Sequence, residues 1–146
     1  MPFVKVWIHA VWTTALRQPL LQPSVRNKIF LHIKENGIQK GIFIDRINGY
    51  TDHVHVLFSL RNDQSIAKAI QLLKGESSFW INKHALTPSK FQWQEEYYAA
   101  SISDIHLINV RNYIDNQEEH HHTKSFREEY EELIQEITGT LLSNKT

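Results

Sequence analysis

An α+β sandwich is predicted for this chain by three observations. Four short stretches are rich in β-branched and aromatic residues, two longer stretches between them repeat their apolar residues at helical spacing, and an Asn-Gly turn signal separates the second and third of the short ones. The resulting order is β-α-β-β-α-β. It is the ferredoxin-like arrangement, an antiparallel sheet with both helices on one face, and it makes the third strand a central one. Two C-terminal helices follow, and the second sheet face is expected to stay open for a ligand or partner.

Each element has its own warrant. Residues 3–14, "FVKVWIHAVWTT", read as the first strand. Pro23 opens a helix whose apolar residues are Val25, Ile29 and Ile33, with Gly37 as its expected stop. Residues 41–47 and 53–60 form a hairpin through "NGYTD". Ile66, Ile70, Leu73 and Trp80 then mark a long amphipathic helix over 63–83, with Trp80 read as core and Gly75 weakening the middle. The aromatic-rich segment 91–102 is the predicted fourth strand. Residues 104–121 form a further helix, and "SFREEYEELIQEITGTLL" forms the last, with Ser125 and Glu128 at capping-box spacing. The 146 residues are thus expected to form one domain, a sandwich core over 1–103 and C-terminal helices over 104–146.

Composition narrows the chemistry. The chain contains no cysteine, so disulfides, thiolate metal sites and a cysteine nucleophile are excluded. The N-terminus "MPFVKVWIHAVW" reads as neither signal peptide nor membrane span, which points to a cytoplasmic protein without membrane contact. A formal net charge of zero hides an asymmetry: residues 1–103 carry 12 Lys and Arg against 7 Asp and Glu, whereas residues 104–146 carry 4 against 9. A basic body with an acidic tail remains able to bind a polyanion, although an acidic solvated helix fits the same numbers.

The stretch "HVHVLFSL" at 53–60 carries the sharpest signal. Alternation along a strand puts His53 and His55 on one face and Val54, Val56 and Phe58 on the other. Two imidazoles in parallel suit a metal, yet ordinary core histidines show the same pattern, and a metal site needs a further ligand. The helix at 104–121 offers one. Within about 60° of Tyr113 around a helix lie His106, Asn109, Val110, Asn116, Gln117 and His120, an almost wholly polar face. A solvated helix surface would look the same. His120, His121 and His122 read better as a cationic helix C-terminus than as a second metal site.

Four blocks in order, "DHVHVLFSL", "LLKGESSFW", "WQEEYYAASIS" and "YIDNQEEHH", together resemble the single-tyrosine HUH transposases, the insertion-sequence-200-like group that includes relatives associated with repetitive extragenic palindromes. The resemblance spans roughly residues 3 to 130. It implies that His53, His55 and Gln117 bind a divalent metal, Mg²⁺ or Mn²⁺, and that Tyr113 is the catalytic tyrosine. It implies a homodimer in which Tyr113 of one chain can serve the histidines of the other, and a prokaryotic, nucleoid-associated location when DNA is bound. Glu96 stands where the family pattern has Gly, and the tail "HHHTKSFREEYEELI" is closer to the palindrome-associated branch.

The reaction so implied is cleavage and rejoining of single-stranded DNA near a hairpin, through a 5′-phosphotyrosine linkage. A phenol with a pKa of about 10 is a poor nucleophile at neutral pH, so such chemistry needs an activated phosphate and a charge or base near the tyrosine. Energy is kept in the linkage, and the chain has no Walker-type phosphate loop. Lys74, Lys83, Arg111, Trp93 and Tyr98 are candidate contacts to the strand, each with an equally good structural role. Two other classes of function fit: a domesticated hairpin-binding protein that does not cut, and a metal-dependent hydrolase with no need of Tyr113.

Overall fold

The computed structural model describes residues 3–121 and 124–133. The elements are β1 (Val6–Thr13), α1 (Pro23–Gln39), β2 (Phe43–Gly49), β3 (His53–Leu60), α2 (Ile66–Lys83), β4 (Tyr98–Ile102), α3 (Leu107–Asp115) and α4 (Gln117–His120), with helical residues again at 126–133. The sheet order is β2-β3-β1-β4, antiparallel throughout, so the histidine strand is central as the pattern predicts.

Alternation along β1 and β3 divides the molecule into two layers. Ile8, Ala10 and Trp12 of β1, with Val54, Val56 and Phe58 of β3, meet Ile29, Phe30 and Ile33 of α1 and Ala69, Ile70 and Leu73 of α2 in the main core. α2 starts where Ser65 Oγ accepts the Lys68 N–H at 3.1 Å, which satisfies one of the donors that a helix N-terminus leaves open. Trp80 packs partly buried against this core, stacked on His32 with ring centroids 3.8 Å apart.

The other face is not open. Trp7 and Leu57 pack against Leu107 and Ile114 of α3, and Val11 and Tyr98 pack against Phe126 and Leu133. Two apolar patches on that face, Trp7 with Leu57 and Val11 with Tyr98, draw the C-terminal helices down onto the sheet. The contacts of α3 with β2 are polar as well. A register shift between Ile44 and Arg46 offsets β2 at Asp45, whose carboxylate accepts from Arg111 Nε at 2.7 Å. Arg46 reaches Asp115 at 3.4 Å, and Asn48 Nδ2 donates to the Ile114 carbonyl at 2.9 Å.

Several predicted boundaries move, each for a local reason. α1 runs through Gly37, where a Cβ would stand 3.0 Å from the Ile42 carbonyl oxygen and 3.2 Å from Ile44; the glycine allows β2 to approach the helix, and the chain reverses at Gly41, φ +74°. Asn48 and Gly49 belong to the end of β2, and the reversal is made by residues 50–52. The predicted strand 91–102 shrinks to Tyr98–Ile102, because β1 ends at Thr13 and leaves the earlier aromatics only an isolated bridge, Thr14 to Trp93. The predicted helix 104–121 is divided at Asn116 into α3 and α4, after a short 3₁₀ turn at Asp104–His106. Ser125 caps the last helix, accepting the Glu128 N–H at 3.2 Å; residues 134–146 of that predicted helix, and His122, lie outside the described residues.

Candidate active site

The site is built on the second sheet face, where β3 presents His53 and His55, both fully buried. Tyr113 and Gln117, one turn apart, keep a common face across the break at Asn116: Gln117 is fully buried and its Nε2 donates to the Tyr113 carbonyl at 3.3 Å. Gln117 Oε1 lies 3.2 Å from His53 Nε2. Tyr113 stands beside the histidines of its own chain, its ring 5.5 Å from that of His55. The four residues singled out from the sequence therefore lie together.

What the sequence reading missed is the group at their centre. Glu129, only 1% exposed, comes down from the last helix. Its Oε1 accepts from His55 Nε2 at 2.9 Å and faces His53 Nε2 at 3.3 Å; its Oε2 accepts from the Tyr113 hydroxyl at 2.5 Å and from Gln117 Nε2 at 3.2 Å. His120, in the last turn of α4, and His121, its C-cap, also turn toward it, at 3.1 and 3.4 Å, so this helix end faces a buried carboxylate. A signal was there to be read. Phe126, Tyr130 and Leu133 repeat at helical spacing, and Glu129 falls on that apolar stripe as its one acid. A carboxylate there needs a buried set of donors.

Protonation states follow from these contacts. His9, buried on β1, brings its Nε2 to 2.9 Å from His55 Nδ1. Burial and then the neighbouring His55 hold the His9 imidazolium down to about 3; burial likewise lowers His55 to about 4, against the opposing pull of Glu129. His55 is thus neutral with its one proton on Nε2 for Glu129, and Nδ1 accepts from His9. His53 differs. Burial works against its charge, but hydrogen bonds to Asp52, 2.8 Å from Nδ1, and to Glu129 outweigh it and raise its pKa. For Glu129, burial favours the neutral acid, yet its hydrogen bonds from His121, His53 and His55 win and keep it ionised. Burial, then that carboxylate, push the Tyr113 phenol well above its ordinary value.

A cleft of about 260 Å³ reaches Tyr113, Glu129 and His9 from the side of α3. His53, His55 and Glu129 each offer an atom within 4.8 Å of the others, a donor set of two imidazoles and one carboxylate. That mixture of nitrogen and oxygen suits Mn²⁺ or Mg²⁺ and leaves coordination positions for a ligand. Other candidates from the sequence are engaged elsewhere. His106 and Asn109 are exposed, Tyr98 is buried, Arg111 is paired with Asp45, and Lys74 Nζ donates to the Glu95 carbonyl at 2.9 Å.

The family described as "Transposase IS200 like" matches residues 3–117, a span that includes His53, His55, Tyr113 and Gln117 and ends before Glu129. The chain belongs to the IS200-like transposases. It shares its fold with a proposed transposase of Deinococcus radiodurans, at 23% identity and TM-score 0.62 over 80% of this chain and 93% of that one. It shares its fold as well with a REP-associated tyrosine transposase bound to a REP hairpin, at 16% identity and TM-score 0.51 over 80% of this chain and 67% of that one. Comparison with curated proteins gives no match. Membership places this chain among DNA-cleaving enzymes. No helix among its described residues is long and apolar enough to cross a membrane.

Proposed function

We propose that this IS200-like transposase cuts and rejoins single-stranded DNA beside a hairpin, with Tyr113 as nucleophile and His53, His55 and Gln117 as ligands of a divalent metal. The observation that carries the reading is convergence: the Tyr113 hydroxyl, the two histidine Nε2 atoms and the Gln117 amide all meet one buried carboxylate within a single chain. A core histidine pair has no use for a tyrosine and a glutamine on the same centre. We add Glu129 to the ligand set, because its Oε1 lies in front of both histidine nitrogens. A hairpin substrate is suggested by the REP-associated relative of the same fold.

Bound there, a divalent cation would polarise a non-bridging phosphate oxygen and offset the charge that builds up on it. The rest falls to the protein. With Nε2 given to the metal, His53 and His55 would carry their protons on Nδ1 and donate them to Asp52 and to His9 Nε2, which orient the imidazoles from behind; His55 would thereby exchange the tautomer of the metal-free protein. Glu129 Oε2 holds the Tyr113 hydroxyl in place and is its nearest proton acceptor. Attack of the phenolic oxygen on phosphorus forms the 5′-phosphotyrosine bond and breaks the bond to the leaving 3′ oxygen, which departs as a hydroxyl. Return of a 3′-hydroxyl reverses the step without a nucleotide cofactor. Since one chain assembles the whole cluster, we propose that Tyr113 acts in cis, within a single domain, whether or not the protein pairs as a homodimer.

The test is a covalent adduct. Purified protein, a pool of hairpin-bearing single-stranded oligonucleotides and Mn²⁺ or Mg²⁺ should give a protein–DNA band on a denaturing gel that maps by mass spectrometry to Tyr113. The band should vanish in Tyr113→Phe and in His53→Ala. Hairpin binding without any adduct would favour a domesticated binding protein, and metal-dependent cutting that survives Tyr113→Phe would favour a hydrolase.

A further inference from the structure

Two cavities outside the histidine cluster meet at one short segment. The first, of about 580 Å³, lies between the loop after β1 and the last helix, with Leu16 and Arg17 on one side and Phe126 and Tyr130 on the other. The second, of about 410 Å³, lies against α2, where Lys74, Gly75 and Ser78 form its wall. Gln94 and Tyr97 line both, so the segment 94–97 is a rib between two halves of one groove. Each half has the size of a small-ligand site.

The rib is held firmly. Gln94 N–H donates to the Thr13 carbonyl at 2.8 Å, Ala15 N–H to the Gln92 carbonyl at 2.9 Å, and Lys74 Nζ to the carbonyls of Gln94 and Glu95. The side chains on it are the reverse. Gln94, Glu96 and Tyr97 are exposed, and their side chains make no hydrogen bond, ion pair or ring contact with another described residue. Opposite them, Leu16 and Arg17 adopt φ of 55° and 53°, a backbone region costly for such residues, and Leu16 is thereby left 85% exposed on the groove rim. Gly75 opens the α2 side, since a Cβ there would meet nothing within 4 Å.

The groove is continuous with the catalytic cluster. Phe126, which walls the larger half, stacks on His53 with ring centroids 4.3 Å apart and planes 15° from parallel. Its chemistry suits bases better than phosphates. The acids Glu95, Glu96 and Glu131 line it, and they would repel a phosphate drawn inside, whereas aromatic and amide groups fit a neutral, flat ring that carries hydrogen-bonding edges. Arg17 and Lys74 stand one in each half and bring positive charge near the backbone that joins two bases, Lys74 while it holds the rib carbonyls and Arg17 while it faces Asp52 at 3.7 Å and the Phe126 ring.

We propose that this double groove takes two consecutive unpaired nucleotides of the DNA, one base on each side of the Tyr97 ring, with Glu96 selecting the base on the catalytic side. A carboxylate oxygen accepts hydrogen bonds, so Glu96 favours bases that offer an exocyclic amino group over thymine, whose single donor, N3–H, is flanked by two carbonyl oxygens. The inference rests on the DNA-cleaving reading above, and its test separates the two.

Full-length protein carrying Tyr113→Phe, which prevents turnover, is titrated by fluorescence anisotropy against a labelled stem-loop whose single-stranded flanks are four dC or four dT. The dC flanks should bind several-fold more tightly. Tyr97→Ala should weaken binding to both by roughly tenfold, the loss of one stacking partner, while Tyr97→Phe stays within about twofold. Glu96→Ala should bring the two flanks to equal affinity. Photo-crosslinking from 5-iodouracil in the flank, read on folded protein without a groove substitution, should label residues 92–97 or 126–130. Affinity indifferent to Tyr97→Ala, a dC preference that survives Glu96→Ala, or crosslinks on another surface would each overturn the groove while leaving a Tyr113 adduct intact. Failure to bind either stem-loop would remove the underlying DNA reading along with it.

Discussion

A single carboxylate organises the site, and its neighbours fix how the metal-free protein responds to acid. His9 and His55 are held neutral at about 3 and about 4 against an ordinary 6.5. The unfolded chain takes up protons at 6.5 that the folded chain refuses until far lower pH, so stability falls as pH drops below 6.5. His53 has a raised pKa, so its contribution is complete below 6.5 and is lost only as pH rises through its folded value. Urea midpoints at pH 7 and pH 5.5 should therefore differ by roughly 2 kcal/mol in stability, at about 1.4 kcal/mol per pKa unit and group. His9→Leu should remove about half of that dependence; a flat profile would contradict neutral burial. The histidine pair and the Tyr113–Gln117 spacing were legible because strand and helix periods are local rules. Glu129 was harder to read: in "REEYEEL" its neighbours are acids too, and only its place on the apolar stripe of Phe126, Tyr130 and Leu133 singles it out.

Among the elements, two glycines carry opposite predictions. Gly75 lies in mid-helix beside open space, so Gly75→Ala should stabilise the protein by about 0.5–1 kcal/mol through backbone entropy alone. Gly49 has no such room. A Cβ would stand 2.1 Å from the His53 carbonyl oxygen, and Gly49→Ala must push that backbone aside, at a cost of about 1–3 kcal/mol and with displacement of His53. Thermal melts check the signs, and adduct yield checks the second consequence. Periodicity revealed both long helices, and the β-branched and aromatic stretches revealed β1 and β3. It misread 91–97 because strand-like composition was present without a full strand to pair with, and it missed the break at Asn116 because no Gly or Pro marks it.

For the whole molecule, a metal bound as proposed would act as a staple between layers, since His53 and His55 sit on the sheet and Gln117 and Glu129 on the helices that cover it. Mn²⁺ at about 100 times its Kd should add about 2.7 kcal/mol, a rise in Tm of roughly 5–10 °C that chelation reverses. His55→Ala should abolish the rise and Glu129→Ala should reduce it; an unchanged rise in both would place the metal elsewhere. The topology was legible from the order of elements, whereas the burial of the second face was not, because the residues that cover it lie in segments whose apolar content is thin. One last consequence comes from the offset in β2. Asp45, Arg46 and Asn48 hold α3 at Arg111, Asp115 and the Ile114 carbonyl, so the tilt of the tyrosine helix is set by an edge strand more than sixty residues earlier in the chain. The two segments form one heritable module: a chimera that borrows a relative's tyrosine helix should keep a working active site only when the matching edge strand is transplanted with it.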